Sequence, residues 1–279
     1  MIHKESGDFM QFKAQTSRYL SLLINDKQRL LLLFLQPIVI ALLIKFISND
    51  DLYKYASHTH SIMFVVSCAG IWIGLFNSIQ EICKERSILK HEYNVGVRFL
   101  SYLVSRFFVQ FLLSIVQALL FLAVFAPLVG MPSSSTLFQN HFIEMFITIE
   151  LTIFSSASIG LVFSSIAKNS DRAMTIAPFI LIFQLLFSGA LFTLEGSAKA
   201  IANFTISKWS ENALGSISDL NSLTLEIQKE IPNAPHELQP QFEHTFANLS
   251  HCWLAMLAFI VISFIICLPA LYRISKDSR

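Results

Sequence analysis

A chain of 279 residues that is 54% hydrophobic and only 14% charged, with a mean hydropathy of +0.58, lacks the composition of a soluble domain, where about a quarter of residues are charged. Its net charge of +1 gives no electrostatic case for binding nucleic acid. Cys68, Cys83, Cys252 and Cys267 offer neither an external disulfide framework nor metal-ligand spacing. What remains is a multi-span α-helical membrane protein, each span needing about 20 mostly apolar residues to cross roughly 30 Å.

The first ten residues, MIHKESGDFM, have no apolar core and cleavage site of a secretory signal peptide. Over Phe9–Ile24, Phe9, Phe12, Tyr19, Leu20, Leu23 and Ile24 recur at roughly helical spacing, with Lys13, Gln15 and Arg18 on other faces. That predicts an amphipathic helix lying in the interface; an ordinary linker is the plainer alternative. A first span is expected over Arg29–Ser48, where Pro37 is tolerable if a neighbour satisfies the carbonyl it frees. A polar outer loop, Asn49–His60, follows. His58 and His60 there have a spacing open to a metal, but a solvated loop is the simpler reading.

The second span is expected over Ser61–Gln80. The chain then changes character in EICKERSILKHEYNVGVRFLSYLVS, residues Glu81–Ser105. Charges this dense cannot sit in hydrocarbon, and the surplus of basic over acidic residues marks the stretch as cytoplasmic. Ile82, Ile88 and Leu89 among good helix formers, without proline, predict a helix. A charged helix there is either a docking surface for a soluble partner or a solvated loop that fixes topology.

The third span covers Phe99–Val129 and the fourth Phe142–Ala167, with Glu144 near one end and Glu150 deeper. Six residues apart, at about 100° each, these carboxylates lie on different faces and do not form an acid–base pair. An intramembrane carboxylate such as Glu150 is a candidate functional group, or a structural partner inside the bundle. The fifth span is expected over Ala173–Leu194. A long polar segment, Glu195–His251, precedes the sixth, Cys252–Tyr272. With six spans both ends share one side. That side carries fourteen Lys and Arg residues against four on the other, with Lys45 and Arg106 inside spans left out. The asymmetry puts both termini in the cytoplasm and residues 195–251 outside. Asn203 and Asn248 open glycosylation sequons on that outer segment.

The chain contains no phosphate-binding G-x-x-x-x-G-K-[ST] loop, no G-x-S-x-G elbow and no H-E-x-x-H helix. Any ATP it uses is bound by another chain.

Two stretches, in their topological places, carry a family resemblance. One is ERSILKHEY from Glu85 to Tyr93, followed by Arg98 and Ser101-Tyr102. The other is Phe187-Ser188-Gly189-Ala190-Leu191, continued by Ile206 and WSENAL from Trp209 to Leu214. With the order of interfacial helix, two spans, cytoplasmic helix, three spans, large outer loop and last span, the chain resembles the membrane domain of type-2 ABC exporters, in particular the G subfamily. The expected fold is an all-α membrane protein with six transmembrane helices. Residues 1–28 form the interfacial segment and 29–279 the six-span domain, with a coupling-helix loop at 81–98 and an extracytoplasmic loop at 195–251.

The resemblance implies that Glu85, Arg86, His91, Glu92 and Tyr93 contact an ATP-binding cassette ATPase subunit. It implies a cavity between two membrane domains, where the corresponding positions are Gly70, Ile73, Ile182 and Leu191; packing between spans is the plainer reading of each. Relatives can have an amide and an aromatic where this chain has Gly70 and Ile73, so drug-like aromatic substrates are not implied. Of the adjacent leucines that plug the cavity in some relatives, Ala190-Leu191 keeps one. The chain is then a permease and not an enzyme, with ATP and Mg on the ATPase and no cofactor or metal of its own. Its partners would be that ATPase on a separate chain, a second permease copy and membrane lipid, most naturally in a bacterial inner membrane. A lipid-like or amphipathic substrate fits an apolar cavity. The alternatives are an ATP-independent channel or ion-coupled carrier working through Glu150, and a scaffold that transports nothing.

Overall fold

The computed structural model describes residues 7–48, 52–132, 140–192, 194–230 and 238–276. The first helix, α1 (Asp8–Asn25), is amphipathic and buries Gln15, Thr16, Tyr19 and Leu23. Asp26 then accepts from the Arg29 backbone N–H and caps α2 (Lys27–Ile47), satisfying a donor that the helix start would leave bare. Pro37 sits inside α2 without ending it.

The next helix, α3 (Ala56–Ser78), starts earlier than its apolar run suggests and takes His58 and His60 into its first turns. Among the described residues no group of three or more His, Cys, Asp and Glu side chains is placed to hold a metal. The charged island folds as two short helices, α4 (Glu81–Lys84) and α5 (Arg86–Asn94). It leads into α6 (Phe99–Val129), which is followed in the chain by α7 (His141–Ile166).

The packing centres on α7, which touches α3, α6 and the last helix, Phe246–Lys276. Small residues set the α3–α7 distance. A Cβ on Gly74 would run into the Ile153 carbonyl, and one on Gly160 into the Ser78 hydroxyl. Such close approach is how helices associate in a bilayer, where burying apolar surface gains nothing over lipid. Ser156 donates to the Ile71 carbonyl at 2.6 Å across the same contact.

After α7 come α8 (Ser170–Leu186), α9 (Gly196–Ala202), α10 (Ile206–Ile217), α11 (Leu220–Glu230), a single 3-10 turn at Pro240–Phe242, and α12 (Phe246–Lys276). Among the described residues five helices are long and apolar enough to cross a membrane: α2, α3 continued through α4, α6, α7 and α12. The protein is thus an all-α membrane protein. The expected fifth span, 173–194, differs: α8 has 17 residues and ends at Leu186. Gly189, three residues further on, takes φ +98°, a conformation open to glycine at little cost. The expected outer loop is also far from irregular. It contains α9 to α11, and in α10 the small Ser207 and Ser210 are buried with Ala213, Leu214 and Ile217 against α3, α7 and α12.

Candidate functional site

Three carboxylates of the charged island point into the protein. Glu81 accepts from the Tyr19 hydroxyl of α1 and the Arg29 guanidinium of α2. Glu85 accepts from Arg106 of α6, from the Tyr102 hydroxyl at 3.2 Å and from Arg18 at 3.3 Å. Glu92 accepts from Arg18 and from the Gln15 amide at 3.1 Å. Counted from Glu85, the N-cap of α5, Glu85, Leu89 and Glu92 fall at i, i+4 and i+7, one face of a helix.

At the centre lies Arg106, with 1% of its side chain exposed. Its guanidinium carbon is 3.8 Å from the centre of the Tyr19 ring and 4.8 Å from that of Tyr102, within cation–π range. Burial, with the Glu81 carboxylate beside it, pushes the Tyr19 phenol well above its ordinary range. It therefore stays protonated and donates. The cluster thus ties the island to α1, α2 and α6 by ionic bonds in a poorly hydrated place, where losing one partner strands another charge.

Backbone anchors add to this. The N–H groups of Ile82 and Cys83 donate to Ser164 Oγ of α7 at 2.9 and 3.1 Å. Arg86 donates to the Ala167 carbonyl at 3.0 Å. Tyr93 stacks flat on Phe99, ring centres 4.4 Å apart, with Tyr272 of α12 edge-on to both. Among the described side chains of α5, Ser87, Ile88 and His91 are turned outward, Ile88 being 50% exposed, and Tyr93 keeps 38% exposure. Ile88 is thus an apolar side chain left half exposed on a helix rich in charge.

A second feature lies where α8 meets α3 and α10. Ile71 and Leu75 of α3 pack on Ala173, Ala177 and Leu181 of α8. Outside this seam Trp72, Phe179, Ile182 (52%) and Leu191 (53%) remain exposed. Gln184 ends the seam: its side-chain oxygen accepts from the Ile206 and Ser207 N–H groups at 2.9 and 3.1 Å, and the Ser207 hydroxyl donates to its carbonyl at 2.5 Å. One side chain therefore caps α10 onto the end of α8.

The family model of the ABC-2 type transporter matches residues 10–210, from the start of α1 into α10. The chain belongs to the ABC-2 type transporter family. It is also 23% identical over 267 residues, 92% of its length, to an ABC transporter ATP-binding/permease protein of Mycobacterium tuberculosis. It spans only 30% of that relative's length. This ABC-2 type transporter chain is accordingly a permease and a multi-pass membrane protein.

The structure sorts the residues expected at its sites. Of the five expected ATPase contacts, His91 faces outward, Arg86 and Tyr93 are partly engaged with the protein, and Glu85 and Glu92 face α1 and α6. Of the four expected cavity positions, Ile182 and Leu191 are exposed on α8 and just after it. Gly70 lies against Thr152 of α7, and Ile73, 1% exposed, packs in the core. Glu150 is buried and accepts from Ser114 Oγ at 2.9 Å. Sequence reasoning missed Gln15, Arg18, Tyr19, Arg29 and Arg106 as partners of the island. The signal was Arg106 itself: a cation inside an apolar helix demands a counter-charge.

Proposed function

We propose that this permease is the membrane subunit of an ATP-driven exporter that moves a lipid-like or amphipathic substrate outward between two membrane domains. ATP, with Mg, is hydrolysed by an ATP-binding cassette on another polypeptide, and both termini face the cytoplasm of a bacterial inner membrane. The observation that carries this reading is the two-sided character of α5. Its inner face is bonded to α1 and α6 through Glu85 and Glu92, and its outer face offers Ser87, Ile88 and His91. On this reading the ATPase seats on the outer face. Its closure moves α5 as a lever, and the ionic bonds carry that motion to α1 and α6. The exposed side of α8, with Ile182 and Leu191, serves as one cavity wall facing a second copy. α8 itself is short for a span, and its turn at Gly189 completes the crossing.

The test is co-purification of the full chain from its native membrane with an ATPase bearing a phosphate-binding loop. Ile88→Asp should lower ATPase association at least tenfold while leaving thermal stability unchanged, because Ile88 is exposed. An unaltered association in that variant, or recovery of the wild-type chain alone, would reject the docking role. Glu150, held by Ser114 inside the chain, serves packing on this reading. Transport that persists in Glu150→Gln agrees with it; abolition of transport with ATPase assembly intact would favour the ion-coupled alternative.

A further inference from the structure

The start of α3 borders a cavity of about 250 Å³. Its walls come from Ser57 and His60 of α3, Asn221 and Thr224 of α11, and Gln239 and Phe242 at the 3-10 turn. At about 1.5 Å per residue along α3 and α4, His60 is roughly 30 Å from Glu81, so the cavity and the docking face of α5 are separate. His60 is held from behind. Its Nε2 is 2.7 Å from Oε1 of Glu211, whose side chain is 3% exposed, and Phe242 lies edge-on to its ring, centres 5.2 Å apart. No third metal ligand joins this pair among the described residues. Asn221 fixes the far wall: its Nδ2 donates to the Gln239 carbonyl at 3.0 Å, and its side-chain oxygen accepts from the Gln239 N–H at 3.1 Å.

Bonding capacity remains on these walls. With Nε2 on Glu211, the second ring nitrogen of His60 is left over. Thr224 donates to the Leu220 carbonyl at 2.9 Å and keeps its acceptor pairs. The Gln239 side-chain oxygen accepts from Gln241 at 2.8 Å, and its amide keeps two donors. The described lining includes no Lys, Arg, Asp or Glu, so an ion would find no counter-charge there.

We infer that this cavity binds one neutral sugar ring, a pyranose carried by a glycolipid or by a soluble glycan. A hydroxyl both donates and accepts. A ring of hydroxyls therefore meets His60 in either tautomer, the acceptor at Thr224 and the donors at Gln239. The C–H face of the ring suits the apolar surface of Phe242 and Leu220. Size agrees, since the volume is below the roughly 300–1,000 Å³ of sites for drug-sized ligands. A bare hydrocarbon chain would leave the polar lining unmet, at a cost for each group. The inference stands or falls separately from ATP-driven export, because it concerns only the end of the bundle opposite the charged island.

The test uses the purified full chain in lauryldimethylamine oxide, a detergent without a sugar headgroup. Saturation-transfer NMR is recorded with the methyl glycosides of glucose, galactose, mannose and N-acetylglucosamine. At least one should bind saturably. Ser57→Trp, at an exposed position, fills the cavity and should weaken that binding about tenfold or more without lowering the melting temperature. Ser222→Trp, exposed on α11 and outside the lining, should leave it unchanged. Thr224→Val keeps the shape, removes the hydroxyl and should weaken binding about two- to tenfold, the worth of one hydrogen bond; it decides the matter where Ser57→Trp proves unstable. An octyl glycoside that binds more tightly than its methyl counterpart, with the gain lost in Ser57→Trp, would assign the ring to a glycolipid. Equal affinity of the two would assign it to a soluble glycan. The absence of saturable binding by all four glycosides would overturn the proposal. So would binding that survives both Ser57→Trp and Thr224→Val, or equal loss in Ser57→Trp and Ser222→Trp. Saturable binding of N-acetylasparagine methylamide without that of any glycoside would make the cavity an amide site and overturn it as well.

Discussion

Gln117 of α6 donates its side-chain amide to the backbone carbonyl of Leu33 at 2.9 Å. Leu33 lies four residues before Pro37, so its carbonyl is the one that proline deprives of a helical N–H. The Gln117 oxygen in turn accepts from Asn77 of α3 at 2.5 Å. A defect inside α2 is thereby repaired by α6 and oriented by α3. Gln117→Leu should destabilise the protein by about 1–3 kcal/mol, the cost of leaving a buried polar group unmet. Pro37→Ala restores the helix's own donor and should recover part of that loss in the double variant. Thermal unfolding of the four proteins in one detergent tests this; strict additivity would refute the pairing.

The Arg106 cluster predicts strong coupling. Arg106→Met takes the buried cation from Glu85, leaving it Arg18 and Tyr102, and should cost about 3 kcal/mol, the low end for a buried ion pair that loses one partner. Glu85→Gln in the Arg106→Met background should cost much less than it does alone. Equal costs of Glu85→Gln in both backgrounds would show that the two side chains do not share a bond energy.

Two glycines on the α3–α7 contact should respond differently to alanine. At Gly74 the obstacle is the Ile153 backbone carbonyl, which cannot move without α7 moving. Gly74→Ala should therefore exceed the usual overpacking cost of about 1–3 kcal/mol. At Gly160 the nearest atom is the Ser78 hydroxyl, and Ser78→Ala should rescue Gly160→Ala in part. Expression and melting temperature of the three variants decide it, and rescue of Gly74→Ala by Ser78→Ala would contradict the assignment.

Gln184→Leu removes the acceptor shared by the Ile206 and Ser207 N–H groups. A loss of about 1–3 kcal/mol is expected for each donor left buried and unmet. Because the side chain joins α8 to α10, hydrogen exchange should rise at the start of α10 and leave α6 unchanged. Uniform protection along α10 in the variant would count against the capping role.

Most of the span pattern was legible because length and apolarity are enough to declare a membrane helix. Phe99–Val129 coincides end to end with α6. The end of α8 was not legible, since the apolar run continues past Leu186 through Phe187, Leu191 and Phe192. What stops the helix is a glycine conformation and the partner offered by Gln184, both set by tertiary structure. The burial of α10 was hidden for the opposite reason. Ser207, Ser210, Glu211 and Asn212 lie in a segment polar enough to be placed outside the membrane, yet all are buried, with Ser210 Oγ 2.7 Å from Thr152 Oγ1 and Glu211 bonded to His60 at 2.7 Å. Polar residues that satisfy one another across helices cannot be told from polar residues that satisfy water. In the island the glutamates were found but their direction was not. Their seven-residue spacing with Leu89 between them placed them on the buried side, and only Arg106 and Arg18 explain why a carboxylate belongs there.

Chain order gives the Arg106 cluster a role in biogenesis. Arg18 and Glu85 both leave the ribosome before Arg106. An arginine entering the bilayer within a helix costs about 2.5–3.5 kcal/mol when it enters alone. Here the counter-ion has already been synthesised and waits at the membrane surface, so α6 can be inserted with its cation neutralised. The same order makes the amphipathic N-terminal helix a folding partner for a span synthesised some eighty residues later.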